Sequence, residues 1–151
     1  MHKNKYLQNL IDLKQFTLGK SIGHGGFGSV FEVENIETKK KYAAKIIQCK
    51  NDEETRRKAF DREVFIMIYS DNPTIIKLVG FSLKDFDDNY NVTVIMEYIT
   101  NGSLLKLLDN VRKKKIPEHY NNTIRQIILI GVARGMKYLH DRNIIHRDLK
   151  P

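Results

Sequence analysis

A cluster of four glycines near the start of the chain constrains its fold more than any other feature. The glycines lie in the segment Gly23-His24-Gly25-Gly26-Phe27-Gly28-Ser29-Val30, which matches the pattern G-x-G-x-x-G-x-V. Glycine accepts positive φ angles and lets backbone N–H groups approach phosphate oxygens. Apolar and polar residues alternate after Gly28, as in a β-strand. The segment is therefore predicted to form a β-hairpin that covers phosphate groups.

The residues after Gly28 exclude two other kinds of glycine-rich phosphate loop. A dinucleotide-binding loop opens a helix, whereas a strand is predicted here. A Walker loop ends in G-K-[ST], and no such triplet comes after the glycines. Because glycine turns are common in hairpins, the interpretation also depends on the charged residues that come next.

Two charged residues interrupt apolar patterns after the glycine segment. Lys45 lies in a predicted strand, residues 42–48, and Glu63 lies in a predicted helix, residues 53–69, within the apolar stripe of Phe60, Val64 and Met67. Either charge alone could reach solvent along its aliphatic stem. An unpaired charge that faces a core is costly, however, and two opposite charges remove that cost from each other. The sequence predicts a buried ion pair in which Lys45 holds phosphate oxygens and Glu63 holds Lys45.

Five strands and three helices are predicted from the periodicity of apolar residues. The strands are residues 16–22, 30–36, 42–48, 75–83 and 91–99. The helices are residues 53–69, a short helix that Ser103 caps and that ends near Val111, and a long helix from Pro117 to about His140. One helix among five strands, followed by helices only, is an α+β pattern.

A short charged motif, His146-Arg147-Asp148-Leu149-Lys150, comes after the long helix. A carboxylate such as Asp148 can orient a hydroxyl group and accept its proton. An ammonium such as Lys150 can offset the charge that grows on a transferred phosphoryl group. The alternative is an exposed charged loop. His146 is interpreted as a packed structural histidine rather than as a base.

The chain carries a net charge of +8 and has a pI near 9.5, so an anionic partner has to be considered. Its two basic clusters, residues 39–41 and 112–115, fall between predicted elements and contain no interleaved aromatic residues. Nucleic-acid binding is therefore not expected. The single cysteine, Cys49, cannot form an internal disulfide, and no apolar stretch has the length of a signal peptide or a membrane span. A cytoplasmic location is expected.

Taken in order, these motifs resemble those of a eukaryotic-type protein kinase domain over about residues 16–151. The glycine segment resembles the glycine-rich loop and Ala43-Ala44-Lys45 the third-strand lysine motif. Glu63 resembles the helix C glutamate, and His146-Arg147-Asp148 resembles the catalytic loop. The resemblance implies a five-stranded antiparallel N-lobe sheet with helix C at about residues 16–99. A hinge at about 97–102 and the first helices of a C-lobe at about 103–151 would come next, with residues 1–15 as a lead-in.

The resemblance also implies an ATP site and a set of catalytic residues. Adenine would lie against Ile22, Val30 and Ala43, with Met96 as a gatekeeper and the backbone of Glu97 and Ile99 as hydrogen-bonding partners. The phosphates would lie against Gly23, Gly25, Gly26, Phe27, Gly28 and Lys45. The residues implied in catalysis are Lys45, Glu63, Asp148 and Lys150.

The same resemblance indicates the type of kinase. Lys150 after the catalytic aspartate is typical of serine/threonine kinases, whereas residues 101–104 and 131–140 resemble the tyrosine-kinase-like group. The Mg²⁺ ligands of kinases, the catalytic-loop Asn and the D-F-G Asp, would lie beyond residue 151. No metal ligand is therefore assigned, Mg²⁺ is expected only for a complete domain, and this chain is expected to be inactive alone. The long helix would also lose its cover, so an exposed apolar patch is expected at Ile127, Ile128 and Leu139. The complete domain would use ATP and a protein substrate; the alternative is a catalytically silent module that binds a nucleotide or a partner.

Overall fold

Alternating apolar residues build one antiparallel sheet of five strands, in the order β1-β2-β3-β5-β4. The strands are β1 (Phe16–Gly25), β2 (Gly28–Asn35), β3 (Lys41–Ile47), β4 (Leu78–Ser82) and β5 (Val92–Glu97). The predicted α+β fold with a five-stranded antiparallel sheet is confirmed. This computed structural model describes residues 2–25, 28–49, 53–115, 117, 120–146 and 148–150, without the side chains of residues 2–4 and 62.

The chain divides into two compact units. The first unit contains Met1–Asp71 and Ile76–Tyr98, and it holds the whole sheet. The second unit contains Asn72–Ile75 and Ile99–Pro151. The strands and the helical segment that carry the predicted ion pair thus belong to one unit, and the charged motif after the long helix belongs to the other.

Strand β4 is shorter than the predicted residues 75–83 because the chain turns just before it. The side chain of Asn72 accepts hydrogen bonds from the N–H and the hydroxyl of Thr74, and the N–H of Ile75 donates to the Asn72 carbonyl. An asparagine that bonds the backbone two residues on makes a local turn in place of a strand. The strand therefore begins only at Leu78.

The two faces of the sheet carry separate apolar clusters, because successive side chains of a strand point to opposite faces. In β3, Ala43 and Ile47 belong to one cluster and Ala44 belongs to the other. The first cluster packs the sheet against residues 53–69. The alternation therefore places Lys45 on the face that carries Ala43 and Ile47, towards the helical segment.

Residues 53–69 are helical, as predicted, but they do not form one continuous α-helix. They consist of α2 (Glu53–Phe60), a π-helical turn (Asp61–Phe65) and α3 (Ile66–Tyr69). A π-helical turn adds one residue to the helical repeat, so the buried side chains are those of Ala59, Val64 and Ile68. The predicted stripe does pack against the core, but of its three residues only Val64 is fully buried, and Phe60 and Met67 are partly buried.

Residues before β1 form helix α1 (His2–Asn9) and a 3₁₀ turn (Leu13–Gln15), neither of which the sequence predicted. The carboxylate of Asp12 begins the turn by accepting a hydrogen bond from the N–H of Lys14. Leu13 is buried in the second apolar cluster of the sheet. This segment is therefore packed into the first unit.

The second unit contains α4 (Leu104–Arg112) and α5 (Asn122–His140). Ser103 caps α4, as predicted, by accepting a hydrogen bond from the N–H of Lys106. The predicted start of the long helix at Pro117 was wrong, because the side chain of Asn121 caps α5 instead. The Pro117 carbonyl accepts a hydrogen bond from the N–H of Tyr120, and both residues precede the helix.

The expected apolar patch on α5 is confirmed only in part. Ile127 is 57% exposed and Ile128 is half-buried, but Leu139 is 7% exposed, so the prediction was wrong for this residue. The C-terminal end of the helix explains the difference, since the N–H groups of Arg142 and Ile144 both donate to the Leu139 carbonyl and fold the chain back there. No helix in the described part of the chain is long and apolar enough to cross a membrane.

Candidate active site

The glycine segment forms the turn between β1 and β2, as predicted. Gly23 pairs with Val30, His24 with Ser29, and Gly25 with Gly28. A strand, and not a helix, therefore continues from the glycines. Next to the turn, His24 Nδ1 and Ser29 Oγ are hydrogen-bonded at 2.8 Å and tie the two strands together, a contact that the sequence did not predict. Gly26 and Phe27 lie outside the described residues.

Gly28 is the glycine whose conformation the hairpin most clearly requires. Its φ angle is +139°, in a region that side chains rarely adopt, and an added Cβ would overlap the carbonyl oxygen of Ile46 on β3. At Gly25 an added Cβ would meet no atom within 4 Å. The close approach of β2 to β3 at the start of β2 thus depends on Gly28, two residues before Val30, the partner of Lys45 on β3.

The predicted ion pair is present. Lys45 Nζ lies 2.6 Å from Glu63 Oε2, and the side chains are 25% and 21% exposed. The prediction of a buried pair was wrong in degree, because both groups keep partial access to solvent. Strand pairing places Lys45 opposite Val30 on β2 and opposite Val94 on β5. A lysine ammonium has three N–H donors, so a single bond to Glu63 orients Lys45 without exhausting its capacity to bind an anion.

Apolar residues implied in adenine binding lie beside Lys45 in the sheet. Ala43 and Met96 are partners across β3 and β5, and they are 6% and 9% exposed. Val30 is half-buried and packs against the same apolar cluster. Ile22, on β1, is 42% exposed. Ile22, Val30 and Ala43 thus lie on the strands that carry the glycine segment and Lys45, and Met96 lies on the neighbouring strand β5.

The backbone of Glu97 is partly committed to the sheet. Its N–H donates to the Lys77 carbonyl at 3.0 Å, and its side-chain Oε1 accepts from the Lys77 N–H at 2.7 Å. The N–H of Glu97 is therefore engaged, and the carbonyl is the backbone group of Glu97 that could accept a hydrogen bond from an adenine amino group. The side-chain bond was not predicted. Ile99 belongs to the second unit, is 51% exposed, and accepts a hydrogen bond from the N–H of Gly102.

A polar cluster that the sequence did not predict lies at the end of β5. Lys41 Nζ is 2.8 Å from Glu32 Oε1, and Tyr98 makes a side-chain hydrogen bond to Glu32. The bond from Lys41 lowers the pKa of Glu32, and the bond to Glu32 raises the pKa of Tyr98. The cluster ties β2 and β3 to the residue after Glu97. The sequence gives no spacing that predicts this cluster, because its three residues meet only through strand pairing.

Asp148 and Lys150 lie in the second unit, in a segment after α5. Lys150 Nζ is 3.0 Å from Asp148 Oδ2, and the two side chains are 72% and 59% exposed. The N–H of Asp148 donates to His146 Nδ1 at 3.3 Å. His146 is exposed, so its interpretation as a packed histidine was wrong, and its ring instead holds the backbone of Asp148. Arg147 lies outside the described residues.

Comparison with known families shows to which family the chain belongs. The family model described as the protein kinase domain matches residues 16–151. The chain belongs to the protein kinase domain family. In kinases, a glycine-rich loop, a lysine on the third strand and a glutamate on the next helix act together on the phosphates of ATP.

Curated relatives of this kinase domain are named Aurora kinase or serine/threonine-protein kinase. An Aurora kinase of Eremothecium gossypii is 36% identical over 146 residues, which are 96% of this chain and 37% of the relative. The Aurora kinase of Saccharomyces cerevisiae is 32% identical over 154 residues, covering 100% of this chain and 39% of the relative. A serine/threonine-protein kinase of Drosophila melanogaster is 32% identical over 136 residues, which are 90% of this chain and 17% of the relative. The chain spans less than two fifths of the length of these relatives.

These relatives confirm the predicted serine/threonine type of the kinase domain. The resemblance of residues 131–140 to the tyrosine-kinase-like group stays a prediction. The roles of individual site residues also stay predictions, because family membership identifies the fold and the reaction class but not the contribution of each side chain.

Proposed function

We propose that this kinase domain binds ATP beneath the β1–β2 hairpin and that the full-length protein transfers the γ-phosphate to serine or threonine hydroxyls of a protein substrate. The observation that carries the proposal is the 2.6 Å pair between Lys45 and Glu63. An ammonium held by a carboxylate, on a strand directly paired with the glycine hairpin, has the chemistry needed to bind phosphate oxygens.

The nucleotide contacts are assigned to the first unit, with one addition from the second. Adenine would pack on the apolar side chains of Ile22, Val30, Ala43 and Met96. Its amino group would donate a hydrogen bond to the Glu97 carbonyl. Ile99 keeps the second backbone contact that the kinase resemblance implies. The phosphates would accept hydrogen bonds from Lys45 Nζ and from the N–H groups of the glycine turn, Gly23 to Gly28 with Gly26 and Phe27 included.

The transfer chemistry is assigned to the second unit. As the acceptor hydroxyl oxygen attacks the γ-phosphorus, Asp148 accepts the hydroxyl proton, the bond to the β-phosphate oxygen breaks, and ADP leaves. Lys150 would exchange its contact with Asp148 for the charge on the transferred group. Mg²⁺ accompanies ATP in kinases and neutralises phosphate charge. Within the described residues, no three His, Cys, Asp or Glu side chains gather as a metal site.

Binding of ATP is tested with two lysine variants of the full-length protein. Lys45→Met removes the proposed phosphate ligand. Lys58→Met is the control, because Lys58 on α2 pairs with Glu54 at the same distance of 2.6 Å but its side chain is 75% exposed. We expect Lys45→Met to weaken ATP affinity about tenfold or more, as the loss of a charge-assisted contact does, and Lys58→Met to leave it unchanged. Calorimetric titration with ATP measures both. Equal affinities for the two variants would contradict the proposal.

Transfer is tested in the same protein with radiolabelled ATP and a generic protein substrate. Asp148→Asn should lower the turnover number about a hundredfold or more at nearly unchanged ATP affinity. Asp141→Asn is the control, because Asp141 pairs with Lys137 at 2.6 Å in the same unit and has no proposed role. ATP binding that depends on Lys45, without any transfer by the unmodified protein, would support the nucleotide-binding module instead of the enzyme.

A further inference from the structure

Helix α1 packs against the helical segment that carries Glu63. The ring of Tyr6 lies 5.7 Å from the ring of Phe60, 6.3 Å from that of Phe65 and 6.2 Å from that of Tyr69. Phe60 immediately precedes the π-helical turn and Phe65 ends it. One aromatic side chain from outside the segment therefore bridges the turn in which Glu63 lies.

The residues after α1 anchor this contact to the sheet. The N–H of Ile11 donates to the Phe81 carbonyl at 2.9 Å, and Leu10 bridges to Phe81 in parallel. Phe81 lies on β4, the edge strand of the sheet. Gly80 permits the approach, since an added Cβ there would lie 2.5 Å from Ile11 Cγ2 and 2.9 Å from the Asn9 carbonyl oxygen. The residues after α1 thus attach to the sheet, whereas Tyr6 on α1 attaches to the helical segment.

The two anchor points also touch each other. The rings of Phe60 and Phe81 pack edge to face with centroids 4.9 Å apart. Lys5 Nζ lies 4.8 Å above the Tyr69 ring. Burial and the neighbouring Tyr69 raise the pKa of Tyr6. Residues 5–11, β4 and the helical segment therefore form one connected set of contacts in the first unit.

We infer that α1 is a built-in positioning element in which Tyr6 holds the π-helical turn where Glu63 meets Lys45. A π-helical turn is a rare helical geometry, and here aromatic packing around it restrains its position. The three rings that Tyr6 contacts belong to the helical segment itself, so Tyr6 acts through that segment and is a positioning residue. The inference rests on the proposed function, because its consequence for ATP runs through the Lys45–Glu63 pair.

The test measures the affinity of the full-length protein for a fluorescent ATP analogue. Tyr6→Ala removes the three ring contacts and should weaken affinity about fivefold to tenfold, the order of effect expected for the loss of aromatic packing. Tyr6→Phe keeps the rings and should stay within about twofold of the unmodified protein. Leu7→Ala is the matched control, because Leu7 lies on the same helix and is 71% exposed.

A double-mutant cycle separates positioning from general destabilisation. If Tyr6 acts through Glu63, Tyr6→Ala should have no further effect on affinity in the Glu63→Gln protein, whereas independent effects would add. Additive effects, or equal affinities of Tyr6→Ala and Leu7→Ala, would overturn the inference. Should Tyr6→Ala not fold, Tyr6→Leu retains apolar volume without an aromatic ring and enters the same cycle.

Amide hydrogen exchange distinguishes failure of this inference from failure of the proposed function. If Glu63→Gln leaves ATP affinity unchanged, the proposed function is wrong at this pair, but Tyr6→Ala should still increase exchange across residues 59–69. Tyr6→Phe and Leu7→Ala should not increase it. Unchanged exchange in Tyr6→Ala would show that α1 does not hold the turn.

Discussion

The substitution Gly28→Ala tests the strand geometry that brings the hairpin to Lys45. The φ angle of +139° belongs to a region that costs an alanine about 1–3 kcal/mol. The added Cβ would also overlap the Ile46 carbonyl oxygen and lie 3.0 Å from its carbonyl carbon. Both neighbours are backbone atoms of β3, so they cannot move aside as a flexible side chain would. We therefore expect a total destabilisation of about 3 kcal/mol.

Gly25→Ala is the matched substitution in the same turn. An added Cβ meets no atom within 4 Å there, and the backbone is outside the positive-φ region. Alanine should then be neutral or stabilising by up to about 1 kcal/mol, because glycine loses more backbone freedom on folding. If the glycine turn binds phosphates, however, the methyl group should still weaken ATP affinity. The two variants thus separate the folding role of a glycine from its binding role.

Thermal unfolding of the two variants, with and without ATP, is the assay. For a chain of this size 1 kcal/mol shifts Tm by about 2–4 °C, so Gly28→Ala should lower Tm by about 6–12 °C. Gly25→Ala should leave the Tm of the nucleotide-free protein within about 3 °C and reduce the additional stabilisation by ATP. Equal Tm values for the nucleotide-free variants would refute the reasoning, since β2 and β3 would then separate at no cost.

Two further predictions concern parts of the fold outside the site. Burial alone would raise the pKa of Asp85, but hydrogen bonds from Asn91, Asn89 and the Asp87 N–H outweigh it and lower that pKa. The ionised Asp85 carboxylate should therefore stabilise the protein relative to Asp85→Asn. This stabilisation should be complete above about pH 5 and should decline as the pH falls below the unfolded-state pKa of about 3.9. Urea unfolding of both proteins across this pH range measures it. Ser103→Ala removes the acceptor for the Lys106 N–H at the start of α4 and should cost about 1 kcal/mol, whereas Thr100→Ala, at an exposed position, should cost little in the same unfolding assay.

Period-two alternation predicted the sheet and the direction of Lys45, because both depend only on which side chains of a strand share a face. Gly28 could be assigned to a hairpin for a similar reason, since a strand pattern continues directly after it. The pairing of Lys45 with Glu63 was also predictable, because two lone charges inside apolar patterns require partners. These features are local or result from a single electrostatic constraint.

Tertiary contacts determine the features that the sequence did not show. The π-helical turn shifts the buried positions to Ala59, Val64 and Ile68, and a 3.6-residue periodicity cannot reveal an inserted residue. Helix α1 is polar and short, and its packing depends on Tyr6 meeting rings that are distant in sequence. Asn121 and Pro117 both carry helix-start signals, and the side-chain hydrogen bond of Asn121 decided between them.

The Lys45–Glu63 pair of the first unit and the Lys150–Asp148 pair of the second unit differ in burial, and this difference suits the role proposed for each pair. Lys45 and Glu63 are 25% and 21% exposed, so solvent screens their attraction only partly and Glu63 can hold Lys45 in one orientation before ATP arrives. Lys150 and Asp148 are 72% and 59% exposed, and such a surface pair is worth about 0–1 kcal/mol. Lys150 can therefore leave Asp148 at little cost, which in the proposed mechanism would free the carboxylate for the acceptor hydroxyl. Under the proposed function, the first pair would hold a phosphate ligand in place, and the second would be exchanged easily for a substrate.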